Sequence, residues 1–274
     1  MILPFAISPC PNDTFLFHAW IEKKVGQKVQ PKVSYADIQQ LNQWAYEGNF
    51  PLIKLSFNCF GKVVNHYQLL PIGNALGFNC GPKIISKSPF PIEEIHEKRV
   101  AIPGKDTTAH LLFERLIGQV KEKRFCLYHE IESLINNQTV DAGVIIHETR
   151  FTFKQAGFVE IADLGTLWHK QFQLPLPLGG LAIRRDLSHS LKDLIIRTLQ
   201  DSLRFALFHP EKSLSFILSH SQEKDPHVVS QHIQTYVNAE TKALSSKGKR
   251  AIELLLNLET NNGWLYEGLN RFSS

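Results

Sequence analysis

The 274-residue sequence has no run of apolar residues near the roughly 18 that a membrane-spanning helix requires, so no anchor of that kind is expected. Cysteine is scarce. Cys10, Cys59, Cys80 and Cys126 are widely spaced, with no CxxC pair and no Cys/His pair at zinc-site spacing. Free thiols in a reducing compartment are therefore expected, rather than a disulfide framework or a structural zinc. A phosphate loop is missing as well: where GxxxxGK[ST] needs its first glycine the chain has Arg99, and Asp106 follows Lys105 where Ser or Thr is needed. Low-complexity tracts, solenoid repeats and long linkers are absent. The 30 Lys and Arg outnumber the 26 Asp and Glu, for a net charge of +4, but they are scattered rather than striped. That distribution argues against a nucleic-acid surface and gives slight support to a small anionic ligand. The segment 1–9 is apolar yet carries no positive leader, no long apolar region and no small-residue cleavage site, and is read as the first strand of a cytoplasmic protein.

Hydrophobic residues make up 43% of the chain and charged residues 20%, the mix of an ordinary globular enzyme. Short apolar runs alternate with helical periodicity, an α/β pattern in which two lobes are expected, residues 1–80 with 181–274 in one and 81–180 in the other. The crossings fall at the glycine- and proline-marked stretches 73–82 and 174–183. Leu3 to Ile7 reads as a strand stopped by Pro9 and Pro11, and Asp13-Thr14 as the cap of a helix to about Lys23. Arg99 to Ile102, Pro103-Gly104 and a helix to about Ile117 repeat that design. Phe125 to Tyr128 reads as a further strand. From Asp186 the pattern is helical, over Pro210 to Ser219, Pro226 to Tyr236 and Ser245 to Thr260 among others, and these helices read as packing rather than chemistry.

The candidate chemistry sits at strand ends. Ala142 to Ile146 is short and β-branched at three positions, so it reads as a buried strand delivering His147 at its carboxyl end. Ligands of open α/β sheets bind beyond the carboxyl ends of strands, and imidazole suits proton transfer near neutrality, which makes His147 the candidate base. The bland alternative is that it is one more surface or core residue among 12 histidines. A helix over Glu148 to Gln155 is expected to follow, its amino end lowering the histidine pKa. In the strand Leu52 to Ser56, Lys54 and Ser56 share a parity opposite to Ile53 and Leu55, which fits either an anion grip or a solvated edge strand. The strand-to-helix joins offer free N–H groups, so Asn12, Asp13, Thr107 and Thr108 either touch ligand or only shape turns and caps. Cys10 has no partnered base visible in sequence and is a poor nucleophile candidate.

Six segments in order along the chain carry a resemblance: Ser8-Pro-Cys-Pro-Asn-Asp-Thr-Phe15, Leu41-Asn-Gln-Trp-Ala45, Lys54-Leu-Ser56, Pro103-Gly104 with Thr107-Thr-Ala109, Ile145-Ile-His-Glu-Thr-Arg-Phe-Thr152, and Leu174-Pro-Leu-Pro-Leu-Gly179. Together they resemble the 1,4-dihydroxy-6-naphthoate synthases of menaquinone biosynthesis by the futalosine route. The resemblance implies a two-lobed, periplasmic-binding-protein-like (type II) α/β fold with a central cleft, used as a cytoplasmic carbon-carbon lyase. The implied substrate is cyclic dehypoxanthinyl futalosine, a small carboxylate, and the products are 1,4-dihydroxy-6-naphthoate and a three-carbon fragment, dihydroxyacetone. It implies no cofactor, no metal, no nucleic-acid or membrane partner, and a monomer or homodimer. By matching motif, His147 is the implied proton acceptor, Lys54, Leu55 and Ser56 line the substrate site from the first lobe, and Thr108 and Ala109 do so from the second. Departures from the relatives are expected at residues 58–60 and 104–106. Competing readings are a chorismate dehydratase of the same pathway, a small-anion solute-binding protein, and, more remotely, the effector lobe of a regulator.

Overall fold

Pro9 and Pro11 end the first strand as their missing N–H groups require. In the computed structural model, which describes residues 1–259 and 263–268, β1 (Ile2–Ile7) gives way to α1 (Pro11–Ile21), capped at Cys10 with proline in its first turn. The helix thus starts ahead of the expected Asp13. After β2 (Gln30–Tyr35), the Asp37 side chain accepts from the N–H groups of Gln39 and Gln40 to start α2 (Ile38–Glu47), and Gly48 ends it at φ +70°. Then come β3 (Leu52–Ser56), α3 (Phe57–Val63), β4 (Tyr67–Leu69) and β5 (Ala75–Gly77).

The next stretch comprises β6 (Lys83–Ser86), β7 (Arg99–Pro103), α4 (Thr108–Leu116), β8 (Glu122–Cys126), α5 (Ile131–Asn136), β9 (Ala142–Ile145), α6 (Thr149–Thr152), β10 (Val159–Asp163) and α7 (Leu164–Phe172). β11 (Leu176–Arg184) leads to α8 (His189–Phe208), α9 (Pro210–His220), α10 (Pro226–Tyr236), α11 (Ala239–Lys242) and α12 (Ser246–Leu256). Asn257, at φ +53°, stops α12; Thr260, its expected end, lies outside the described residues. Two expectations need correction. β8 begins at Glu122 rather than Phe125, and Tyr128 belongs to a 3-10 turn; β8 is a charged, largely exposed edge strand without the apolar alternation by which strands are read. The helix expected over 148–155 shrinks to the single turn of α6.

The strands form two sheets. One has the order β2-β1-β3-β11-β4, with β5 also on β11; the other has the order β10-β6-β9-β7-β8. The chain leaves the first sheet between β5 and β6 and returns between β10 and β11. At the outward crossing, a Cβ on Gly81 would stand 2.6 Å from the Gly165 nitrogen, so this glycine serves the close packing of the crossing against the start of α7. β3 lies between β1 and β11, parallel to the former and antiparallel to the latter, and all five of its residues are buried. It is a central strand, which overturns the solvated-edge alternative.

Each sheet is covered by helices. α1 packs between the first sheet and α8: Phe5 meets Phe17 edge-on at 5.0 Å, and Ser202 Oγ donates to the Leu16 carbonyl at 2.7 Å. Ile53 and Leu55 join a core that also holds Val100, Ile102 and Val144 of the second sheet, so apolar packing runs continuously between the two. No helix among the described residues is long and apolar enough to cross a membrane.

Candidate active site

A cleft of about 750 Å³, counted to its open mouth, lies where the two sheets meet. It receives Lys54 and Ser56 from β3, Thr107, Thr108 and Ala109 from the start of α4, and Ile146 and His147 from the end of β9. Residues chosen by strand alternation and strand-end position thus converge. Leu55 does not: its side chain is fully buried in the core, and its backbone pairs with Gly180 of β11.

His147 is the first residue past Ile146 and takes a left-handed backbone, φ +57°, unusual for a residue with a Cβ and found where surroundings over-determine the conformation. The Tyr128 ring meets the imidazole edge-on at 4.7 Å, and Nδ1 lies 3.2 Å from Cys10 Sγ. Burial holds the imidazole pKa down to about 4, against smaller upward pulls from Asp13 and Asp37. The ring is therefore neutral at physiological pH. The cause is desolvation rather than the amino end of a following helix, since α6 is one turn long. Among the described residues Nε2 has no hydrogen-bond partner.

The base missing beside Cys10 in sequence is thus present in space. Burial, followed by the charge of Glu148, pushes the Cys10 thiol well above its ordinary pKa, so it stays protonated and is not an activated nucleophile. Burial likewise lifts the Glu148 carboxyl to about 7. Sulfur, nitrogen and oxygen atoms of Cys10, His147 and Glu148 lie within 4.8 Å of one another. A cation would take this set only by driving the proton from a thiol that the site holds neutral, and below about pH 7 it would compete with the Glu148 proton too.

Lys54 is not a free cation. Its ammonium donates to Asp13 Oδ1 at 2.6 Å and to the Gly73 carbonyl at 3.0 Å, and Ser8 Oγ donates to the other Asp13 oxygen at 2.7 Å. Asp13 thus neutralises the lysine and fixes it at the cleft floor. Ser56 Oγ donates to the Asp106 carbonyl at 2.7 Å and accepts from the Cys59 N–H that opens α3. Thr108 Oγ1 accepts from the Phe57 N–H at 2.9 Å and donates to the Leu178 carbonyl at 2.6 Å. Both hydroxyls are committed to stitching the first sheet's elements to the start of α4. What Thr108 and Ala109 leave for a ligand are the first N–H groups of that helix, which have no intrahelical acceptor and sit at its positive end.

Sequence reading missed one wall. α10, taken for packing, contributes His232 and Tyr236, four residues apart on its inward face, to the cleft. Arg150 of α6 donates to the Tyr236 hydroxyl at 2.7 Å, which ties α10 to the second sheet's side of the cleft. Asn12 and Asp13 line the cleft as well, and Asn12 Oδ1 meets His232 Nε2 at 2.9 Å. Only the His-x-x-x-Tyr spacing signalled this, and apolar periodicity concealed it.

Two sheets joined by two crossings, with a polar cleft at the junction fed by strand ends and helix starts, define a periplasmic-binding-protein-like fold. An alkanesulfonate-binding protein from Xanthomonas axonopodis shares it at a TM-score of 0.72 with 15% identity, over 97% of this chain and 95% of that one. A crystallised protein of Archaeoglobus fulgidus superposes at a TM-score of 0.89 with 28% identity, over 93% of this chain and 96% of that one. Residues 3–260 match the family described as menaquinone biosynthesis. The chain is 38% identical over 253 residues to the 1,4-dihydroxy-6-naphthoate synthase of Thermus thermophilus, covering 92% of each. It belongs to this family of menaquinone-biosynthesis enzymes.

Proposed function

We propose that the protein is a cytoplasmic 1,4-dihydroxy-6-naphthoate synthase that converts cyclic dehypoxanthinyl futalosine into 1,4-dihydroxy-6-naphthoate and dihydroxyacetone, with His147 as general base. The observation that carries the reading is the imidazole itself, neutral, clamped by Tyr128 and Cys10, with Nε2 turned to no protein group. In the tautomer that carries its proton on Nδ1, 3.2 Å from the Cys10 sulfur, Nε2 presents a lone pair to the ligand. The substrate carboxylate is oriented by the free N–H groups of Thr108 and Ala109 and lies beside Lys54, whose pairing with Asp13 spares the site an uncompensated buried charge. A bound anion also raises the imidazole's affinity for a proton, so the base strengthens as the substrate arrives. Proton removal at the sugar-derived ring then starts elimination and carbon-carbon cleavage toward an aromatic naphthol. The two lobes, each built on one of the sheets, close over the ligand and keep water from reactive intermediates.

The test uses purified protein with the cyclic futalosine derivative and, separately, with chorismate, following product mass. Naphthoate release by the wild type and its loss in His147→Ala, with an unchanged circular-dichroism spectrum, is the expected outcome. Turnover of chorismate instead, or undiminished naphthoate release by the variant, rejects the assignment.

A further inference from the structure

The hydrogen bonds beneath the cleft fix a direction that ends on an unmet acceptor. Asp13 Oδ1, which takes the Lys54 ammonium at 2.6 Å, also takes the Asn12 Nδ2 amide at 3.0 Å. A carboxylate paired with a lysine only accepts, so the Asn12 NH2 must face it and Asn12 Oδ1 must face the other way. That oxygen meets His232 Nε2 at 2.9 Å. An amide oxygen also only accepts, so the hydrogen lies on Nε2. Burial pushes the His232 pKa well below its ordinary value, with the charge His147 would carry when protonated and the cations of Arg150 and Lys54 acting in the same direction, and the ring carries no second proton. Nδ1 is therefore a bare lone pair. The residue is 2% exposed and lines the cleft, yet Nδ1 has no partner in the protein. A buried acceptor without a donor is costly and is rare in folded proteins.

We infer that His232 is a substrate-binding residue whose Nδ1 accepts a hydrogen bond from a hydroxyl of the ligand, and that the Lys54, Asp13, Asn12 chain exists in part to hold it in that tautomer. The identity of the ligand rests on the function proposed above; on that reading the donor is a hydroxyl of the sugar-derived ring, opposite in character to the carboxylate held at α4. A carboxylate or another bare acceptor is repelled at this wall. His232 thus selects for a hydroxylated end.

Two substitutions separate this role from a structural one. His232→Asn keeps an acceptor where Nδ1 stands and loses the bond to Asn12; His232→Gln keeps a donor to Asn12 and loses the acceptor. The expected result with cyclic dehypoxanthinyl futalosine is a KM raised about tenfold in His232→Gln and changed less than about threefold in His232→Asn, the loss of one hydrogen bond to a buried group. The melting temperature should follow the opposite order. Nitrogen-15 NMR of histidine-labelled protein without ligand should find His232 in the Nε2–H form. Wild-type protein that leaves the substrate untouched overturns the proposed function and with it the ligand named here. Wild-type turnover accompanied by the reverse KM order, or an Nδ1–H tautomer, overturns the role of His232 alone.

Discussion

Replacing Glu148 by Gln tests the electrostatics of the cleft most directly. The carboxyl is 8% exposed, and burial raises its pKa from the ordinary 4.5 to about 7. The native state therefore binds this proton more tightly than the unfolded chain does, and between those two values stability falls as pH rises. At about 1.4 kcal/mol per pH unit, ionised Glu148 costs the fold roughly 3 kcal/mol at pH 8 and under about 1 kcal/mol at pH 5. Gln is close in size and uncharged, so it removes that cost. Any loss from placing an amide in the same pocket is the same at both pH values, which makes the difference between them the cleaner measure. Urea unfolding of the wild type and Glu148→Gln should show the variant gaining about 2 kcal/mol more at pH 8 than at pH 5. His147 acts in the other direction: its depressed pKa makes stability rise with pH over the window from about 4 to 6.5. The two slopes oppose each other in the wild type, and the variant should uncover the histidine's. An equal effect at both pH values, or a loss confined to pH 8, would refute the reasoning.

Two further outcomes follow from the same geometry. In Glu148→Gln, kcat/KM should stay level from pH 7 to below pH 6, because the imidazole titrates near 4 rather than 6.5; an acid limb near 6.5 would show that burial does not set the base. Lys54→Met leaves Asp13 charged and unpaired in a buried site and should cost about 3–5 kcal/mol in urea unfolding, while adding Asp13→Asn should recover more than half of it. A double variant no more stable than the single one would mean that the lost lysine packing dominates.

Much of the site was legible because it depends on local rules. Strand alternation separates Lys54 and Ser56 from Ile53 and Leu55 without knowledge of the neighbours of β3, and His147 follows from a short apolar run that must end somewhere polar. Whether β3 is an edge could not be read, because its second partner, β11, arrives after the whole second sheet. The cause of the low His147 pKa was misassigned for a related reason: burial comes from Tyr128 and Cys10, remote in sequence, while the helix expected next to it barely forms. Leu55 was carried by its motif, and its side chain lies in the core rather than at the cleft. His232 escaped notice because a histidine on the buried face of an amphipathic helix, between Val229 and Tyr236, reads as packing, and its meaning depends on Asn12 at the other end of the chain.

The position of β11 also governs how the protein is made. As the chain leaves the ribosome, β3 has an unpaired edge, and β4 and β5 have no partner in their sheet until Leu176–Arg184 has been translated. All of β6 to β10 emerges in that interval, so the inserted half has its strands complete before the half that brackets it. A nascent chain stalled anywhere before β11 presents an open strand edge, the surface on which strands of other molecules add. One stalled before α10 lacks the His232 and Tyr236 wall, so the cleft is complete only after the last part of the chain has been added.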